Sequence, residues 1–147
     1  MVVRVLKFER KCEPYFLLIQ STTVPAQSLD YLIFDYSEDE EGNGTWDAMA
    51  SVSAVRVSAL TAEIESVLAW ANRAFPGQRA AIEDGGDWDF DLQAQDDSGN
   101  SLIADFDARA SKAQIAAAPT GNTNVTLTIS GSAAFADAFR EAFDLDA

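Results

Sequence analysis

The residues in this chain with the most chemical potential are acids, and they come in two runs. Between Glu83 and Asp107 stand Glu83, Asp84, Asp87, Asp89, Asp91, Asp96, Asp97, Asp105 and Asp107, with no Lys or Arg among them. Between Asp35 and Asp47 stand Asp35, Glu38, Asp39, Glu40, Glu41 and Asp47, again without a base. The chain has no histidine, so the usual general base at neutral pH and the commonest metal ligand are both missing. Serines and threonines are many, but no base accompanies them. Carboxylates alone can run acid–base chemistry when a cleft shifts their pKa values. Here Asp87, Asp89, Asp91, Asp105 and Asp107 alternate along strands, which places them on a convex outer face. That pattern suits binding better than catalysis.

The net charge points the same way. Lys and Arg total 10 against 24 Asp and Glu, giving −14. Such a field repels nucleic acid and anionic lipid and attracts basic partners. The expected partner-binding set is Asp87, Asp89, Asp91, Asp105 and Asp107, joined by Asp35, Glu38, Asp39 and Glu40. No metal or cofactor is expected. The stretch Asp87-Trp-Asp-Phe-Asp has the look of a calcium loop, but the sixth and twelfth positions hold Leu92 and Ser98, where such a loop needs Gly and Glu. Gly85-Gly86 lacks the strand, helix and Lys of a phosphate loop. Cys12, the one cysteine, sits in a polar turn and can form no internal disulfide.

The elements that must position these acids follow from periodicity. Residues 2–8 and 15–21 read as a β-hairpin around a polar turn ending at Pro14. Residues 29–36 read as a third strand, and 46–57 as a fourth. In the fourth, Ala48, Ala50, Val52 and Ala54 share one parity before Val55 and Val57 switch to the other. Leu60, Ile64, Val67, Leu68, Ala71 and Phe75 recur at helical spacing. Ser58 or Thr61 is placed to cap that helix, Glu63 and Glu65 suit its positive end, and Pro76-Gly77 stops it.

A hairpin with period 2 follows. Trp88, Phe90, Leu92 and Ala94 alternate with Asp89, Asp91, Gln93 and Gln95, and Asp96–Asn100 makes the turn. The return strand places Leu102, Ala104, Phe106 and Ala108 inward. Pairing Ala94 with Ala104 sets Asp91 opposite Asp107, a like-charge contact costing roughly 0.2–1 kcal/mol. Residues 113–118 are a weak strand, and 124–129 the last. Gly131-Ser132 opens a second helix with Phe135, Phe139 and Phe143 as its stripe.

The fold expected is α+β: a mostly antiparallel sheet with two amphipathic helices packed on one face. At 147 residues one domain over 1–147 is expected, large enough to fold without staples. The N-terminus alternates Val3, Val5 and Phe8 with Arg4 and Lys7 and lacks an apolar signal core, and no long apolar run exists. A cytoplasmic protein with no membrane association, monomeric or weakly dimeric, is the expectation.

These residues, taken together, resemble small immunity proteins of bacterial polymorphic and contact-dependent toxin systems, in particular the wall-associated-toxin immunity family. The resemblance lies in a Trp-containing strand, a helix like Leu60–Phe75 ending in Pro-Gly, a hairpin with Asp-x-Ser-Gly at its turn, the strand Val125–Ile129 and a short amphipathic helix. It covers roughly residues 46–143 and is one of architecture. The alanine-rich stretch 104–118 and the first 30 residues depart from it, and it carries over no residue role. It implies an acidic inhibitor that occludes a basic, nuclease-type toxin one-to-one, without turnover. Two alternatives stand beside it: a histidine-free hydrolase or isomerase using aspartates, and a nucleic-acid mimic that inhibits a DNA-binding protein.

Overall fold

Alternation in the strands sorts their side chains into a buried face and an open one. The computed structural model describes residues 29–145. The strands expected at 2–8 and 15–21, the basic N-terminal run and Cys12 lie outside the described residues. Leu29–Phe139 form one compact unit, and Arg140–Asp146 belong to a second.

The elements are β1 (Phe34–Glu38), β2 (Gly44–Val52), α1 (Val57–Ala74), β3 (Trp88–Gln95), β4 (Ser101–Leu102), β5 (Ala104–Asp107), β6 (Lys112–Ile115), β7 (Thr123–Gly131) and α2 (Ala133–Phe143). Five strands form a sheet in the order β1-β2-β7-β3-β4, and β5 and β6 form a separate ribbon. Every strand pairing is antiparallel. The class is α+β, as expected from the sequence. No described helix is long and apolar enough to cross a membrane.

The central pair β2–β7 alternates cleanly. Trp46, Ala48, Ala50 and Val52 are buried on β2, and Val125, Leu127 and Ile129 on β7. Both helices cover this face. Ile64 and Leu68 of α1 and Phe135 and Phe139 of α2 are fully buried. Phe135 lies at the centre of an aromatic cluster, stacked on Trp88 at 5.7 Å and touching Trp70, Phe75 and Phe139. Gly131 lets α2 start this close to the sheet, because a Cβ there would collide with the Phe135 ring. Ser132 caps the helix, its Oγ accepting from the Phe135 N–H at 3.2 Å. Phe90, Leu92 and Phe106, which the period-2 alternation turns toward the core side, are half-buried at its rim.

Three local expectations are corrected. The third strand starts at Phe34 rather than residue 29. The Glu63 carboxylate explains this: it accepts the backbone N–H groups of Asp30, Tyr31 and Leu32 at 2.7–3.2 Å, so these donors are taken before a strand neighbour can use them. The fourth strand ends at Val52, and its parity switch is a short 3-10 turn, Ala54–Arg56, leading into α1. Neither Ser58 nor Thr61 caps α1; Thr61 Oγ1 donates back to the Val57 carbonyl at 2.7 Å.

Candidate functional site

The β3–β4 turn sets the first fact about the acidic residues. Asp96 N–H donates to the Asn100 carbonyl, and Ala94 pairs with Leu102, not with Ala104. That is a shift of two residues from the expected register. After two residues of pairing the chain leaves the sheet at Ile103, and β5 pairs with β6 instead. Asp107 therefore faces Lys112 and Asp105 faces Gln114. The ribbon is tied to α1 through Ala113 N–H to Glu65 at 2.9 Å and Asn72 to the Ala108 carbonyl at 3.1 Å. Asp105 and Asp107 are thus not strand partners of Asp89 or Asp91, although β5 still touches β3 through Phe106 against Phe90 at 6.1 Å, and the Asp91–Asp107 pairing does not form.

A different like-charge pair does. Asp35 on β1 lies directly opposite Asp47 on β2. Both are exposed, on the face turned away from the helices. Continuing across the sheet, Asp47 pairs with Thr128 of β7, and Thr128 with Asp91 of β3. One row across four strands therefore reads Asp35, Asp47, Thr128, Asp91. The adjacent row reads Ser37, Thr45, Ser130, Asp89. The Thr128 hydroxyl donates to Asp47 at 2.7 Å. No described element covers this face. The two acidic runs, distant in sequence, are brought together here by the insertion of β7 between β2 and β3.

The acidic loop adds a wall. Asp39 accepts from the Glu41 and Asn43 N–H groups at 2.9 and 3.0 Å and from the Asn43 amide at 3.0 Å. Asp96 does the same with Ser98 and Asn100. Both loops are Asp-x-x-Gly-Asn, and Gly42 and Gly99 take φ of 88° and 87°, which disfavours any residue with a Cβ. These hydrogen bonds hold both carboxyls below their ordinary range: chiefly the Asn43 side chain for Asp39 and the Asn100 backbone N–H for Asp96. Asp97 is lowered as well, first by the Asn122 N–H, which ties the β3–β4 turn to the loop before β7. A carboxyl held low is a poor general acid, and these three have structural duties.

An open cleft of ≈ 690 Å³ runs beside the sheet, with Glu38, Asp39, Glu41, Glu83, Asp89 and Ser130 on its walls. Arg79 reaches Asp89, its Nε 3.0 Å from Oδ1, while its guanidinium lies over the Phe90 ring at 4.4 Å. Asp87 sits one residue before β3, its carbonyl accepting from Ser132 N–H at 2.8 Å. Glu40 stands exposed at the loop tip. Among the described residues no group of acids or Cys is close enough to hold a metal ion.

Of the expected set, the sheet face and cleft unite Asp35, Glu38, Asp39, Asp89 and Asp91. Asp87 and Glu40 stand at their margins, and Asp105 and Asp107 are apart. Asp47, counted in the second acidic run but not in the expected binding set, shares this face. The parity of Ala48, Ala50 and Val52 carried the signal, because it turns Asp47, Met49 and Ser51 outward. The chain matches no family model, no curated protein and no solved structure.

Proposed function

We propose that this protein acts by binding a basic protein partner on its open sheet face and the adjoining acidic cleft, without catalysis. One observation carries the reading: Asp35 and Asp47 oppose each other directly across β1–β2, on a face that no described element covers. Opposed like charges lower stability, and among the described residues no Lys or Arg pairs with either carboxylate, the Thr128 hydroxyl on Asp47 being the hydrogen bond they receive. A basic partner would relieve the repulsion on docking and associate fast through long-range steering. With the resemblance to toxin immunity proteins, the partner becomes a cognate basic toxin domain, neutralised one-to-one by occlusion in the cytoplasm of the producing cell.

The test begins with the full chain as bait in a lysate of its native host. The captured protein is then measured by surface-binding kinetics at low and physiological salt. A basic partner whose on-rate falls steeply with salt, and whose own activity stops at one equivalent, is the expected result. A partner without excess Lys and Arg, or an on-rate indifferent to salt, overturns the reading.

A further inference from the structure

The row next to the acids on the open face is apolar at one end. Met49, on an inner strand of the sheet, is 74 % exposed. Ile33, 79 % exposed, stands one residue before β1 on the outward side of the alternation, since Leu32 is buried and Phe34 packs edge-on against Phe139. Continuing the β1–β2 register places Ile33 level with Met49. Across β2 the neighbour of Met49 is Thr126 of β7. The register thus places two large apolar side chains side by side on the face, one row from Asp35 and Asp47. Two residues along a strand is about 7 Å. The strands of this face, β1, β2, β7 and β3, contain no Lys or Arg.

An apolar pair bordered on one side by a row of acids and on the other by Ser51 and Asn124 resembles the core and rim of a binding hot spot. Resting on the reading of a basic partner, we infer that Ile33 and Met49 are its anchor point. The partner presents a large apolar side chain within about 7 Å of a Lys or Arg. The apolar group covers Met49 and Ile33, and the cation sits over Asp35 and Asp47. Charge complementarity decides against a second copy of this chain, because an isologous contact would set aspartates against aspartates. It decides against nucleic acid for the same reason.

The test uses the full chain with two capped peptides of equal charge, Lys-Leu-Lys-Lys-Leu-Lys and Lys-Ser-Lys-Lys-Ser-Lys. The chain has two methionines, Met1 and Met49, so a methyl-labelled sample reports on Met49 by one resonance. At physiological salt the leucine peptide is expected to bind about fivefold tighter, a difference near 1 kcal/mol, and to shift the Met49 methyl signal. Met49→Ser should erase that difference and leave the serine peptide unaffected. D35N/D47N should weaken both peptides, and D105N/D107N, the same charge change on the β5–β6 ribbon, should weaken them far less. Thermal melts check that each variant is folded. If the peptides bind alike, the Met49 methyl does not move and D35N/D47N still weakens both, the anchor is refuted while the basic-partner reading stands. If D105N/D107N weakens binding as much as D35N/D47N, the face itself is not the site and both fail.

Discussion

Replacing Asp35 by Asn should make the protein more stable, and the amount can be worked from its position. Asp35 and Asp47 are register partners on adjacent antiparallel strands. The Asp39–Asn43 backbone bond next to them fixes the phase, which makes 35 and 47 a hydrogen-bonded pair, with Cα atoms about 5.5 Å apart. Two exposed charges about 6 Å apart in water repel by roughly 0.7 kcal/mol. A Debye length near 8 Å at physiological salt cuts this to about 0.3 kcal/mol, and one near 30 Å at 0.01 M leaves about 0.6 kcal/mol. Both lie inside the usual span for opposed like charges, roughly 0.2–1 kcal/mol. For a chain of this size that is a rise in Tm of about 1–2 °C, larger at low salt. The assay is denaturant unfolding of wild type, D35N, D47N and D35N/D47N at both salt concentrations. In D47N the new side-chain amide oxygen can still accept from the Thr128 hydroxyl, so the double-mutant cycle isolates the charge pair. D105N is the control, since Asp105 faces Gln114. A coupling of zero, or D35N less stable than wild type, would refute the claim that this face bears a cost and remove the argument for its function.

Three further outcomes are expected. Phe139→Ala should lose about 3–5 kcal/mol, because the ring is fully buried with Trp46 at 4.9 Å, Phe34 at 5.5 Å and Trp70 at 5.7 Å; a loss under about 1 kcal/mol in denaturant unfolding would mean α2 does not pack as described. Glu63→Ala should cost about 1–3 kcal/mol and speed amide exchange at Asp30, Tyr31 and Leu32, while Glu63→Gln, which keeps one acceptor oxygen, should cost less; unchanged exchange at those amides would count against the clamp. Asp39, Asp96 and Asp97 have folded pKa values below their ordinary 3.8, so their contribution is present above that value and is lost as pH falls below it. The stability gap between wild type and D96N should accordingly narrow between pH 5 and pH 3, and a gap that widens on acidification would reverse the assignment.

How much of this was legible depended on whether a signal was local. The inward positions of β2, β3 and β7 follow from period-2 alternation, and α1 and α2 from their apolar stripes, so the layers and the face carrying the helices could be read directly. The register of the β3–β4 hairpin could not. Asp96–Asn100 closes as a tight Asp-x-x-Gly-Asn loop, which pairs Ala94 with Leu102, and a two-residue shift keeps the same parity, so alternation cannot tell the two registers apart. The early start expected for β1 failed through a long-range contact, the Glu63 carboxylate 31 to 33 residues away in sequence. The meeting of the two acidic runs was also beyond local reading. It depends on β7 inserting between β2 and β3, a non-consecutive strand order.

That strand order also bears on what the acids are for. A charge that serves only solubility works best with both signs interspersed, and it can stand anywhere on the surface. Loops and helix exteriors hold it at no cost in strand pairing. Here the four strands β1, β2, β7 and β3 carry Asp35, Glu38, Asp47, Asp89 and Asp91 and not one base. Aspartate is depleted in strands for a physical reason, and two of these stand opposed. The same face exposes Met49, which adds nothing to solubility. The inner face is fully committed to the Trp46, Trp88, Phe135 and Phe139 cluster, so the outer positions are free to change without touching the core. Thr or Lys at 35, 47 and 49 would leave the core untouched, and under the proposed reading Asp, Asp and Met stand there for the partner. A basic surface with an apolar contact satisfies all three positions at once.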